Sequence, residues 1–248
     1  MMATPNAQRR NSQAWALGVG VLGVVCALTF TRVAPEAAGR TISFRALDGR
    51  TINGLLMEAN ARPAPAVVML PMLGRPKDDW AAIGQRFADS GITALAIDLP
   101  DLNLPPEAGQ LAAWATDASA AVAYLASRPA EVRPGAIGVV GASLGANLAV
   151  LAAAGDGAVR SIALVSPSVD YRGLRIEGPL RQYGGRPAIL IASLHDPYAA
   201  RSVRELAENP PGPRQMRWSD TAAHGSVLLA RDPDLVRSLV EWFQLTLS

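Results

Sequence analysis

Ile137-Gly-Val-Val-Gly-Ala-Ser143-Leu-Gly-Ala-Asn-Leu-Ala-Val-Leu-Ala-Ala-Ala154 decides the fold. Its first four residues form a short apolar run of strand length, and Leu144 to Ala154 is rich in strong helix formers. Between them stands G-x-S-x-G, Gly141 to Gly145. Such a pattern is weak by itself, but a strand directly before it and a helix directly after it are what a nucleophile elbow requires. The turn holds its serine in a strained backbone conformation, so residues larger than glycine at Gly141 and Gly145 would collide with neighbouring elements. Ser143 is therefore expected at the carboxyl end of a strand, where open α/β sheets build their sites, beside the positive end of a helix dipole. A glycine-rich helix start with an incidental serine is the plainer alternative.

Outward from this stretch, short apolar runs recur at Ala66–Leu70, Ile92–Ile97, Ile162–Val165 and Ala188–Ile191. Fully apolar runs of this length read as buried parallel strands. Helix-like segments lie between most of them: Trp80–Asp89 behind an Asp78-Asp79 cap, Glu107–Ser127, Ala199–Glu208 and an amphipathic stretch Pro233–Leu247. Asp48-Gly49 separates two strand-like segments, Thr41–Leu47 and Thr51–Met57, and supplies the positive φ angles of a tight hairpin. The expectation is an α/β domain over residues 39–248, with a mostly parallel central sheet of about eight strands flanked by helices.

Residues 1–38 read differently. Ala14 to Phe30 is apolar or small apart from Thr29, and Arg9 and Arg10 precede it. A basic flank before an apolar run marks an export or anchoring segment followed by a linker. Ala34-Pro-Glu-Ala-Ala38 puts Pro or Glu at the −3 position of a cleavage site, which favours an uncleaved single-pass membrane helix with the domain outside the cytoplasm; export after signal cleavage is the alternative. Cys26 lies inside the apolar run, which fits an internal helix residue better than a lipid-attachment site.

Composition narrows the chemistry. The formal charge is +2, and residues 1–38 hold three arginines and one glutamate, so the remainder is balanced. Clustered basic runs that would track a nucleic acid are missing from the sequence. One cysteine and two histidines leave no intramolecular disulfide and no Cys- or His-rich metal centre. Serine, carboxylates and imidazole remain. A serine hydroxyl needs a base, and His224, in Thr221-Ala-Ala-His-Gly-Ser226 between the strand-like Gln215–Trp218 and the last helix, is the candidate; His195 is its rival. The imidazole needs a carboxylate to fix its tautomer, and Asp196 follows the strand-like Ala188–Ser193. Asp170 is the alternative acid, and an N-cap for the Ala199 helix is the alternative use of Asp196, a use expected to conflict with catalysis. For the oxyanion, the amides of Leu144 and Met72 occupy the expected places, after the serine and after an earlier strand; a plain loop is the alternative at Met72.

With Gly141-Ala-Ser-Leu-Gly145, Ser193-Leu-His-Asp-Pro-Tyr198, Ala223-His-Gly225 and Ala96-Ile-Asp-Leu-Pro100 in view, the chain from about Thr41 onward resembles the α/β-hydrolase superfamily, particularly small dienelactone-hydrolase-like or acyl-peptidase-like serine esterases. The resemblance implies hydrolysis of a carboxylic ester, thioester or amide of a small-molecule substrate, without metal or organic cofactor. Where many relatives carry His-Gly after the third strand, this chain carries Pro71-Met72. Ser166 to Arg186 is too short for a large helical cap, so an open site is expected, with Tyr171, Tyr183, Tyr198 and Met72 as lining or as ordinary packing residues. An inert interaction module at the membrane and an acyltransferase are the other readings of the same fold.

Overall fold

The computed structural model describes residues 39–100, 107–208, 212 and 214–248. The expected anchor or signal helix in residues 1–38 lies outside them. Among the described residues no helix is long and apolar enough to cross a membrane.

The chain opens with β1 (Arg40–Arg45) and β2 (Thr51–Met57), paired antiparallel with Ile42 opposite Gly54. Of the expected turn dipeptide only Gly49 takes a positive φ, 83°. Asp48 instead accepts the Arg50 N–H through Oδ1 at 3.0 Å, an Asx turn that closes the longer loop from Ala46 to Arg50. There follow β3 (Ala64–Leu70), a 3₁₀ turn (Lys77–Trp80), α1 (Ala81–Asp89), β4 (Thr93–Ile97), α2 (Ala108–Ala113), α3 (Ala115–Ala126), β5 (Val132–Ala142), α4 (Leu144–Gly155) and β6 (Val159–Val165). A small hairpin, β7 (Asp170–Tyr171) with β8 (Leu174–Arg175), leads to α5 (Glu177–Tyr183). Then come β9 (Ala188–Ser193), α6 (Pro197–Ala207), β10 (Arg214–Ser219), α7 (Gly225–Arg231) and α8 (Pro233–Thr246).

Eight strands form one sheet in the order β1-β2-β4-β3-β5-β6-β9-β10. Only β1 with β2 and β2 with β4 pair antiparallel; every other neighbour is parallel. The five buried apolar runs are the strands β3, β4, β5, β6 and β9, so both sheet faces must be covered. They are: one core packs α3 and α4 through residues such as Leu125 and Leu148, and the other packs α1 and α8 through Phe87 and Phe243. Those two rings meet edge to face at 5.8 Å between centroids, a geometry worth about 1 kcal/mol beyond the area it buries.

Two expectations need correction. The single helix over Glu107–Ser127 is two helices, broken at Trp114, whose N–H is shared between the Gln110 and Leu111 carbonyls as in a tightened turn. Asp78 and Asp79 do not cap α1; its N-cap is Trp80 with no side-chain bond, and Asp79 reaches Arg75 and Ser226 instead. The stretch 166–186, expected to be too short for a large helical cap, holds the β7–β8 hairpin and the seven-residue α5, which packs on α4.

Candidate active site

Ser143 stands between the last residue of β5 and the first of α4 with φ 52° and ψ −118°, a left-handed conformation that few non-glycine residues adopt. The neighbours explain why the turn tolerates only glycine around it. A Cβ on Gly141 would overlap the Gly145 carbonyl, and one on Gly145 would overlap the carbonyl oxygens of Leu70 and Pro71. These close approaches pull the first turn of α4 against the end of β3. The Leu144 and Met72 amides therefore lie on adjoining backbone, and among the described residues neither donates a hydrogen bond within the protein. Met72 begins a turn closed by Arg75 N–H on its carbonyl at 3.2 Å, with Gly74 supplying a φ of 74°.

That turn is held from below. Asp98, at the end of β4, accepts the Lys77 backbone N–H through Oδ1 and the Lys77 ammonium through Oδ2, both at 2.9 Å. Burial alone would lower the pKa of the Lys77 ammonium, but the bond and charge of Asp98 outweigh it and the net shift is upward. Asp79 adds a second tie, pairing with Arg75 at 2.5 Å and accepting a long bond from Ser226 Oγ at 3.4 Å. The Met72 turn and the segment after His224 thus share one carboxylate.

His224 and Asp196 meet. The distance from His224 Nδ1 to Asp196 Oδ2 is 2.5 Å, with the imidazole 44% and the carboxylate 16% exposed. Asp196 also accepts the Ala199 N–H at 3.1 Å through its other oxygen, Oδ1, and so N-caps α6. The expected conflict between the two uses does not arise, because each oxygen serves one of them. Asp170, the alternative acid, has its Oδ1 on the Gly173 N–H at 2.6 Å inside the β7–β8 turn. His195 is exposed, and its backbone N–H is held by Ser193 Oγ.

The His224 segment reaches the serine through its next residue. Gly225 has φ 57°, and a Cβ there would overlap the Met72 sulfur and touch the Ala142 Cβ. Gly225 therefore lies between the residue before Ser143 and the Met72 side chain, which brings all three segments together. Ser143 Oγ and the imidazole are not hydrogen-bonded to each other among the described residues; such contacts are often long before substrate arrives. Of the tyrosines expected to line the site, Tyr198 is 53% exposed beside Asp196. Tyr183 is buried, with its hydroxyl on the Pro187 carbonyl and Arg186 over its ring, and is a packing residue.

Two site features escaped the sequence reading. Asp98 lies within a quoted motif, yet its hold on Lys77 depends on a chain reversal that no local pattern announces. Ser166 is buried with φ 51° and accepts the Gly225 N–H at 3.0 Å. Its one sequence signal is its place just after an apolar strand. Among the described residues no group of three or more His, Cys, Asp or Glu side chains is disposed to hold a metal.

The model for the dienelactone hydrolase family matches residues 52–208. The chain belongs to that family. The match contains Ser143 and Asp196, whereas His224 lies beyond it. Among curated proteins, a polyketide transferase of Stachybotrys chlorohalonatus is 30% identical over 175 residues, covering 68% of this chain and 54% of that one. A thiohydrolase of Arthrinium phaeospermum is 31% identical over 147 residues, 57% of this chain and 47% of its own. The chain thus spans about half the length of these relatives. Among solved structures, the dienelactone hydrolase from Anabaena variabilis superposes with a TM-score of 0.69 over 85% of this chain and 98% of its own, at 18% identity. The α/β hydrolase GrgF from Penicillium gives 0.72 over 84% and 99%, also at 18% identity. The α/β-hydrolase fold is shared across both, and the family is one of hydrolase-class enzymes.

Proposed function

We propose that this chain is a serine hydrolase that cleaves a carboxylic ester or thioester through an acyl-enzyme intermediate, with Ser143 as nucleophile, His224 as base and Asp196 as the carboxylate behind it. The observation that carries the reading is the His224–Asp196 contact on loops that close on the strained Ser143 turn. In the reaction, His224 Nε2 takes the proton of Ser143 Oγ as that oxygen adds to the acyl carbonyl carbon. Asp196 stabilises the imidazolium through Nδ1, and the amides of Leu144 and Met72 receive the oxyanion. The carbon–oxygen or carbon–sulfur bond then breaks, and the leaving group departs with the proton from His224. Water repeats the cycle, releasing the acid and free Ser143.

The names of the curated relatives favour a second reading of the same site. One is a polyketide transferase and another a thiohydrolase, so an alcohol or thiol taking the place of water would make the chain an acyltransferase, with a thioester as donor. The proposal extends to location: the basic-flanked apolar run Ala14–Phe30 tethers the domain to the outer face of the cell membrane.

A fluorophosphonate probe tests the chemistry. Wild type is expected to label, and Ser143→Ala and His224→Ala to lose labelling; a folded wild type that stays unlabelled would sink the serine reading. Incubating p-nitrophenyl butyrate with an added alcohol or thiol then separates hydrolysis, which yields free butyrate, from transfer, which yields the new ester or thioester.

A further inference from the structure

The three segments bearing Ser143, Asp196 and His224 are tied together at the last residue of β6 and the residue after it. The Val165 carbonyl accepts the Ser143 N–H at 2.9 Å. The Ser166 N–H donates to the Ile191 carbonyl at 2.7 Å, on the strand that leads to Asp196. The Ser166 hydroxyl accepts the Gly225 N–H at 3.0 Å, one peptide from His224. Ser166 is 1% exposed and takes φ 51°, a backbone conformation that residues with a side chain disfavour.

The need for this contact follows from where His224 sits. It is the N-cap residue of α7, and N-cap side chains ordinarily accept one of the unpaired amides of the first turn. The His224 imidazole makes no such bond, because it is turned to Asp196. The Gly225 amide, at the first position of α7, is buried and beyond the reach of a cap side chain, and its acceptor is the Ser166 hydroxyl just after β6. On its other side Gly225 is closed in by Met72 and Ala142, so the Ser166 hydroxyl completes a clamp on the peptide that sets the direction of the imidazole.

We propose that Ser166 is a positioning residue for His224: its hydroxyl fixes the Gly225 amide and thereby the angle at which the imidazole faces Ser143 and Asp196. The inference rests on reading those three residues as the catalytic set. Loss of the hydroxyl leaves a buried donor without its acceptor and frees the His224 peptide to rotate. A base misplaced by a fraction of an ångström slows chemistry while leaving substrate binding nearly intact.

The test compares Ser166→Ala and Ser166→Gly with wild type in the full chain. Both variants remove the acceptor, but glycine adopts φ 51° without strain, so the two separate the hydroxyl from the backbone. The readouts are kcat and KM for p-nitrophenyl butyrate, and the proton NMR signal of the His224 Nδ1–H, distinguished from His195 with His195→Ala. Both variants are expected to lower kcat about 10- to 100-fold with KM within about twofold, and to broaden or abolish that signal. A variant that keeps wild-type kcat, or both variants with a sharp, unmoved Nδ1–H signal, would overturn the proposal. Unfolding of both would also overturn it, since the hydroxyl would then serve the fold. Should wild type itself fail to react with the probe, the hydrolase reading fails, and the Nδ1–H signal still decides whether Ser166 holds the imidazole.

Discussion

Asp196 divides its carboxylate, with Oδ1 on the Ala199 amide and Oδ2 on His224. The two oxygens can be separated by mutation, since asparagine caps a helix about as well as aspartate but brings no charge to an imidazolium. Asp196→Asn is expected to leave thermal stability near wild type while lowering kcat by about 10³- to 10⁴-fold. Asp196→Ala loses the cap as well, and should cost about a further 1 kcal/mol of stability for a similar loss of kcat. Urea unfolding beside steady-state kinetics checks both; an Asn variant with near-normal kcat would remove Asp196 from the catalytic set. Asp196 was legible as the candidate acid because it follows an apolar run and precedes His224, and the structure brings the two side chains together. Its capping bond was legible too, but only as a competitor: the sequence names the carboxylate and does not say that its two oxygens face different ways. Ser166 was not legible, because accepting a backbone amide needs no more than a hydroxyl and no motif marks it.

Among the elements, those that bear the site were the easiest to read, since strand, tight turn and helix each impose a residue type: β-branched and apolar in β5, glycine where Gly141 and Gly145 meet carbonyls, helix formers in α4. Short elements such as β7 and β8 were not readable, because two-residue strands have no period. One tie of the β1–β2 hairpin was equally hidden, because besides the β2–β4 pairing it uses an ion pair distant in sequence. Arg50 in the hairpin pairs with Asp117 of α3 at 2.8 Å; the carboxylate is 1% and the guanidinium 42% exposed. Burial raises the Asp117 pKa more than the Arg50 bond lowers it. A carboxyl whose folded pKa lies above its unfolded value destabilises the fold at higher pH, and that penalty fades as pH falls through the folded value. Arg50→Ala strips away the compensating charge and should raise that pKa further. The variant is expected to lose about 2 kcal/mol near pH 7, less than a fully buried pair because half of the guanidinium is in water. The deficit should shrink as pH is lowered and Asp117 takes up its proton. Thermal melts of both proteins across that range check the sign; a deficit that stays constant or grows in acid would show that the Arg50–Asp117 charge pair does not stabilise the fold.

For the molecule as a whole, the alternation of apolar runs with helix-like segments was enough to indicate a mostly parallel sheet covered on both faces. Strand order was not readable, because it depends on which crossovers pack, a long-range choice. The family match covers most of the folded region, from residue 52 to 208, and the His224 loop beyond it is joined to the rest through Ser166, Met72 and Asp79. On the proposed reading, residues 1–38 answer to a different physical logic, that of the bilayer. A run from Ala14 to Phe30 without a charge would lose little by leaving water, and Arg9 and Arg10 would then hold the N-terminus on the cytoplasmic side. The full chain is therefore expected to remain with membranes through alkaline carbonate extraction, and the domain to be digested by protease added outside intact spheroplasts. Recovery of a shortened chain in the soluble exported fraction would replace the anchor with a cleaved signal, and a full-length protein in the cytosol would remove both. An anchored esterase would meet substrates only outside the cytoplasm, so the outcome also determines which pool of esters or thioesters to screen.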